Sequence, residues 1–509
     1  MPISSLPSPY GIGTLGKAAR DFIDFLAEAG QSWWQILPVS PTSYGDSPYQ
    51  SPSAYAGNPY FIDLDLLAAD GLLTREEIDS YSWGDDPARV DYGALYHNRF
   101  PLLEKAAERG WARERAAVES FITDNEGWLP DYALFMALKR RFSMAAWTEW
   151  PEDIRLRRPE AVERYRAELA GDIRLFTYIQ FLFFRQWAAL RAYAREKGVG
   201  IIGDLPIYVA LDSADVWSSP ENFRLDENNV PVEVSGVPPD YFSEEGQLWG
   251  NPLYNYEAME KNGYNWWIRR LGGVEKLYDV VRIDHFRGFE SYWAVPYGDK
   301  TAKNGKWVKG PGMSLIGVLT GWFHGLQLIA EDLGTLTDEV RQLLKDSGLP
   351  GMKVLEFAFD PESESDYLPH MYTSPHCVCY TGTHDNAPLA AWLEEAGPEE
   401  VKKAAAYLGL NEEEGLTWGI LRGGMSSVAE LFIAQLQDYL ELGAEARMNA
   451  PGLVGGNWQW RLLPGQITPR LTKRIAEMTR LYGRSTKPAR RKPEIHGEVI
   501  PSRQAEQDV

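Results

Sequence analysis

Between Leu15 and Ala29 apolar side chains recur at Leu15, Ala18, Ala19, Phe22, Ile23, Leu26 and Ala29. Steps of three and four predict an amphipathic helix, with Gly30 as its stop. Trp33-Trp-Gln-Ile-Leu-Pro-Val39 then reads as a strand running into a polar loop. Residues 66–198 are mostly helical in pattern and rich in Ala, Glu and Arg, and the last helix is expected at about Ile173–Lys197. That interval is too long for one βα connection and reads as an inserted helical subdomain. Short apolar runs follow: Val199–Asp204, Tyr278–Asp284, Leu326–Glu331, Met352–Phe357 and Cys377–Asp385. They lack strict alternation, as strands buried on both faces do in a parallel sheet. Such βα units fit an open doubly wound sheet or a closed barrel. Four of the five runs end in or beside a carboxylate, namely Asp204, Asp284, Glu331 and Asp385. In a barrel those C-terminal strand ends converge on one mouth. No GxGxxG turn follows any strand, which counts against dinucleotide binding. The expected fold is therefore α/β: a (β/α)8 TIM barrel over residues 1–483, with large, mainly helical insertions. No C-terminal β-sandwich is expected, and residues 484–509 lose periodicity and read as a flexible tail.

Composition narrows the function. Hydrophobic residues make up 44% and charged residues 24%, enough for a large core. Lys and Arg number 51 against 72 Asp and Glu, a formal net charge of −21, which disfavours nucleic acid or an anionic membrane as a partner. No apolar run reaches the roughly 18 residues needed to span a bilayer. Met1-Pro-Ile-Ser-Ser-Leu-Pro has neither the basic nor the apolar region of a signal peptide. Cys377-Val-Cys379 matches neither an easy disulfide nor a zinc pattern, so a reducing, cytoplasmic setting is expected. The seven histidines form no HExxH or HxH, and no EF-hand spacing occurs; neither a metal nor a cofactor is expected. Nineteen Trp, 26 Tyr and 19 Phe are an unusually high aromatic content; core packing accounts for most of them, and flat rings of this kind also suit the apolar faces of sugars.

Cleaving a glycosidic bond takes two carboxyl groups, one to protonate the leaving oxygen and one to attack or to activate water. Asp284, Glu331 and Asp385 lie 47 and 54 residues apart, consistent with successive βα units carrying insertions. Arg282 precedes Asp284 by two and so shares its face of the strand. Its guanidinium is expected to depress the Asp284 pKa and keep that group ionised. Pattern alone leaves open which of Glu331 and Asp332 faces the mouth, and strand-end carboxylates also serve as plain helix caps.

Arg282-Ile-Asp-His-Phe-Arg-Gly-Phe289, Ile329-Ala-Glu-Asp-Leu-Gly334 and Thr381-Gly-Thr-His-Asp-Asn386 resemble the conserved segments of the 4-α-glucanotransferases called amylomaltases, relatives of the α-amylases. The likeness extends through Gly45–Gln50, Gly203–Tyr208, Gly236–Ser243, Gly246–Tyr254, Arg447–Gly452 and Gly456–Trp458. It implies disproportionation of α-1,4-glucans (maltooligosaccharides, amylose, starch or glycogen) onto glucose or maltooligosaccharide acceptors, by a retaining mechanism. By resemblance Asp284 is the nucleophile, Glu331 the acid/base and Asp385 the carboxylate that binds and distorts the sugar. Arg282, His384 and Asp204 line the same subsite. Ser47, Tyr49, Asp240, Phe242, Gln247, Trp249 and Asn457 hold neighbouring glucose units, and Phe357 sits toward the acceptor. Residues 236–254 form a substrate-covering loop, and Tyr44 and Tyr92 match a remote glucan groove. Members usually begin with a complete first barrel strand, whereas this chain starts partway through it. Two rivals are an α-amylase-type hydrolase with the same trio and a non-catalytic glucan-binding scaffold.

Overall fold

Seven short strands run parallel and in barrel order. β1 (Trp33–Gln35), β2 (Gly200–Leu205), β5 (Val280–Ile283) and β8 (Gln327–Ala330) pair in that sequence. β9 (Gly351–Val354), β10 (Cys377–Tyr380) and β11 (Leu431–Ile433) continue it. The computed structural model describes residues 1–485 except 240–242, 335, 363, 364, 454 and the side chain of Tyr44, so the tail from residue 486 lies outside the described residues. Ala330 N donates to Pro350 O at 2.9 Å and bridges β8 to β9. The sheet curls until Tyr380 Oη reaches Gln35 Oε1 at 2.9 Å, joining β10 back to β1. One apolar cluster draws on all seven strands, through Trp33, Ile202, Val280, Ile329, Met352, Val378 and Leu431. A cluster with that membership is a barrel interior. Among the described residues no strand precedes β1; Ile3–Ser5 is a 3-10 turn, and the Met1 amino nitrogen lies 3.4 Å from Gln35 O.

The two-residue period of each strand places the functional side chains. Ile202, Val280, Ile329 and Val378 point inward, whereas Val281, Ile283, Leu328, Cys377 and Cys379 face the surrounding helices. Two residues beyond an inward apolar group, the next side chain again faces in. Asp204 follows Ile202, Arg282 and then Asp284 follow Val280, and Glu331 follows Ile329. Asp332 faces outward by the same count, and its Oδ1 accepts Met352 N at 2.7 Å to pin β9.

Helices cover the outside. The first spans Lys17–Glu28 and stops where Gly30 turns to φ +71°. Helices Leu64–Ala69, Tyr92–Arg113, Leu129–Arg141 and Ala170–Glu196 occupy much of the interval between β1 and β2. The last is tied to the barrel by Gln180 and Gln186, whose Oε1 atoms accept Gly57 N and Asp63 N at 2.7 Å each. No described helix is long and apolar enough to cross a membrane.

Residues 236–254, expected as a loop, include the end of one strand and the whole of another. β3 (Glu233–Val237), β4 (Gln247–Pro252), β6 (Ser291–Pro296) and β7 (Lys306–Lys309) form an antiparallel sheet ordered β4-β3-β6-β7. Gly and Pro at 236, 238, 239, 246, 250 and 252 make this text read as turns. Gly236 is required there, since a Cβ would lie 2.5 Å from Gln247 O across the pair. Residues 238–246 connect β3 to β4, and their far end is strapped down: Ala302 N donates to Glu245 O at 2.9 Å, and Lys303 pairs with the Glu245 carboxylate.

Candidate active site

The inward side chains at the C-terminal strand ends form one connected network. Arg282 Nη1 donates to Asp204 Oδ1 and Oδ2 at 2.9 and 2.8 Å and to Asp284 Oδ1 at 3.1 Å. Tyr49 Oη donates to Asp204 Oδ2 at 2.6 Å, and its ring stacks on His384 at 5.1 Å. His384 Nε2 lies 3.4 Å from Asp385 Oδ1. Glu331 accepts two backbone amides, His285 N on Oε2 at 2.7 Å and Leu333 N on Oε1 at 2.9 Å. Arg282 and Asp204 are almost fully buried, at 4% and 2% side-chain exposure, whereas Asp284 and Asp385 retain 27% and 45%. The buried pair thus forms a base on which two accessible carboxylates stand.

The expected depression of the Asp284 pKa is overturned. Burial pushes its carboxyl well above the usual range; Arg282 opposes this, and Asp204, Glu331 and Asp385 add to the rise. The physical reason is burial first, and the opposing Arg282 is shared, with two of its hydrogen bonds spent on Asp204. Burial works against the charged Arg282 guanidinium too, but the surrounding carboxylates hold its pKa high. Burial and Asp204 keep Tyr49 a neutral phenol.

The other expected residues divide. Trp249 lies on β4 with its ring 4.8 Å from that of His285, and its Nε1 donates to Gln247 Oε1 at 3.2 Å. Phe357, on the turn after β9, is 42% exposed and makes a T-shaped contact with Tyr367. Ser47 Oγ accepts Tyr49 N at 3.2 Å and so shapes the turn that carries Tyr49. Asn457 is occupied in bracing its own loop, accepting Ala450 N and donating to Leu453 O, both at 3.0 Å. Tyr92 is half-buried; its hydroxyl donates to Trp458 O at 2.9 Å and its ring packs near Tyr60. Asp240, Phe242 and the side chain of Tyr44 lie outside the described residues.

Three contributors escaped the reading of the sequence. Asn449 Nδ2 donates to Asp385 Oδ1 at 2.6 Å, and Arg447 Nη2 donates to Asp385 O at 2.9 Å. Trp458 flanks both Tyr49 and His384, at 5.8 and 5.7 Å. All three sit in polar or Gly-rich text whose only signal was its likeness to a family motif. Among the described residues no group of three or more His, Cys, Asp or Glu could hold a metal ion.

An α/β barrel whose mouth gathers four carboxylates, an arginine and stacking rings has the make-up of enzymes that work on glycosidic bonds. More narrowly, the chain belongs to the 4-alpha-glucanotransferase family, whose sequence profile matches residues 1–467. It is 49% identical over 486 residues to the 4-alpha-glucanotransferase of Clostridium butyricum, covering 95% of this chain and 100% of that one. It is equally 49% identical to that of Thermus thermophilus, over 93% of this chain and 96% of the relative. The solved amylomaltase of Streptococcus agalactiae in complex with acarbose superposes with a TM-score of 0.93 at 41% identity, covering 96% of this chain and 99% of that chain. The Corynebacterium glutamicum amylomaltase, at 20% identity and TM-score 0.75 over 94% of this chain and 74% of that one, shares the fold.

Proposed function

We propose that this enzyme moves α-1,4-glucan segments from donor to acceptor by double displacement, with Asp284 as nucleophile and Glu331 as acid/base. The observation that carries the reading is the contrast between the two carboxylates. Asp284 Oδ1 is held by Arg282, and among the described residues Oδ2 accepts no hydrogen bond, leaving it for the anomeric carbon. Glu331 is held by one amide on each oxygen, which leaves each a further lone pair for the transferable proton. Asp284 attacks C1 as the C1–O4 bond breaks, and Glu331 gives its proton to the departing O4. An acceptor 4-hydroxyl then loses its proton to Glu331 and displaces Asp284, so two inversions retain the α configuration. Asp385, fixed by Asn449 and beside His384, is placed to bind ring hydroxyls, where hydrogen bonds that strengthen in the transition state contribute most.

Transfer rather than hydrolysis requires that the acceptor reach the intermediate before water does. The β3–β4 hairpin and Trp249 supply cover for that step. Product analysis on maltotriose tests the function: glucose together with chains longer than the substrate is expected. Only shorter sugars would indicate a hydrolase, and an unchanged substrate a binding protein. The enzyme is read as cytoplasmic, a reading supported by Cys377 and Cys379, both buried and unpaired.

A further inference from the structure

His285 follows the nucleophile directly and adopts a left-handed backbone, φ 51° and ψ 47°. For a residue other than glycine that conformation is uncommon and strained. Its consequence lies in where the amides point. In a strand successive N–H groups face opposite sides, but the turn at His285 sends two in a row toward one residue of β8's extension. His285 N donates to Glu331 Oε2 at 2.7 Å, and Phe286 N donates to Glu331 O at 3.0 Å. The return bond, Glu331 N to Ile283 O at 3.0 Å, closes the clamp. Residues on either side of Asp284 thus fix Glu331 from three directions.

The turn alone would be served without strain by glycine. What glycine lacks is the ring, and the imidazole meets Trp249 edge-on, at 4.8 Å and 84°. Room for it comes from Gly288, where a Cβ would lie 3.1 Å from His285 Cδ2 and 2.8 Å from Ile207 Cδ1. Burial, aided by Arg287, pushes the imidazole pKa down to about 3, so at neutral pH an uncharged ring supports the indole. Trp249 belongs to the covering hairpin, and Glu331 to the barrel. His285 is where the two meet.

We propose that His285 is a positioning residue that joins the two halves of the site: its left-handed backbone orients Glu331 for proton transfer, while its ring seats Trp249 over the acceptor. The inference rests on the reading of Glu331 as the acid/base, and predicts that the two functions of His285 separate by substitution. Asn and Gly tolerate the left-handed turn and lack the ring. H285N and H285G should therefore keep cleavage within about tenfold of wild type, while the share of events ending in hydrolysis rises several-fold and the acceptor KM increases. Val and Ala resist the turn, Val more strongly. H285V should lose about a hundredfold in kcat on maltotriose. It should lose far less in the first-turnover release of fluoride from α-maltotriosyl fluoride, the step whose leaving group needs no proton; H285A gives the same contrast in milder form if H285V fails to fold. A wild-type hydrolysis share and acceptor KM in H285N and H285G would overturn the seat for Trp249. Equal losses in the first turnover on maltotriose and on the fluoride in folded H285V or H285A would overturn the orientation of Glu331. E331Q separates the two readings. If it cleaves maltotriose normally, the acid/base assignment itself fails; if it cleaves only the fluoride and the His285 variants behave like wild type, this inference alone fails.

Discussion

Asp284 stands in an electrostatic conflict that bears on stability as well as chemistry. Burial raises its pKa, and Arg282 offsets only part of this in the presence of Asp204, Glu331 and Asp385. A carboxyl whose folded pKa exceeds its unfolded value binds protons more tightly when folded, so stability falls as pH rises between the two values. Asp284→Asn should therefore melt above wild type at pH 7, and the gap should close as pH is lowered toward about 4, where the unfolded carboxyl itself titrates. Transfer by the same variant should fall by about three orders of magnitude or more, because in the proposed mechanism no other group forms the covalent intermediate. Calorimetry across pH together with single-turnover assays checks both; coincident melting at pH 7 would show that the carboxylates do not strain the fold. The spacing Arg282-x-Asp284 was legible from the period of a strand, and so were the trio and its carboxylate ends. Sharing of Arg282 with Asp204, 78 residues earlier, was not, and neither was the burial that reverses the expected direction of the Asp284 shift. The choice between Glu331 and Asp332 follows from the inward direction of Ile329, which only the packed barrel reveals.

At the level of elements, the six strands read from apolar runs all occur, because burial on both faces requires uninterrupted hydrophobic text. β11 was missed, being three half-buried residues that directly follow a helix-rich stretch. The antiparallel sheet was missed because its strands are short and separated by Gly and Pro, so its stability comes from cross-strand pairing such as Trp293 opposite Trp307. That sheet is what makes the proposed cover a framed hairpin rather than a free loop. Two tryptophans then give opposite expectations. Trp267 is 1% exposed and packs against Tyr254 and Phe289, at 5.3 Å each. Its replacement by Ala should cost about 3–5 kcal/mol of stability and leave the balance of transfer to hydrolysis unchanged in the folded fraction. Trp249 is half-buried against His285, and Trp249→Ala should shift melting only slightly. Its reducing ends formed per glucosyl unit transferred should rise, since transfer creates none and each hydrolysis creates one. An unchanged ratio in a well-folded Trp249→Ala protein would mean that water is kept out by some other part of the site.

For the whole molecule, the same physics sets the pH at which it is most stable. Several carboxyls away from the proposed chemistry are raised by burial: Asp215 and Asp438 to about 6, Asp332 to about 7, and Glu356 well above its ordinary value. Each stabilises the fold while protonated and loses that contribution as pH rises through its folded pKa. Carboxylates held low by hydrogen bonds act in the opposite sense. Glu77, bound by Arg109, is lowered to about 2, and Asp279 is lowered by the Ile201 amide and by Arg195 and Arg191 against its burial. Their contribution is lost only as pH falls toward those lowered values. A net charge of −21 adds self-repulsion that grows with pH and is screened by salt. Melting temperature should accordingly peak in the mildly acidic range, decline toward pH 8, and recover part of that decline in added salt. Asp332→Asn isolates one term. Its side-chain oxygen can still accept Met352 N, the 2.7 Å bond that pins β9, so the folded geometry is retained. The variant has no carboxyl to ionise at that position, so the difference in melting temperature from wild type should grow in its favour from pH 4 to about pH 7 and level off above it. Parallel pH curves for the two proteins would show that Asp332 titrates normally, and the decline toward alkaline pH would then belong to surface repulsion, which salt should abolish completely.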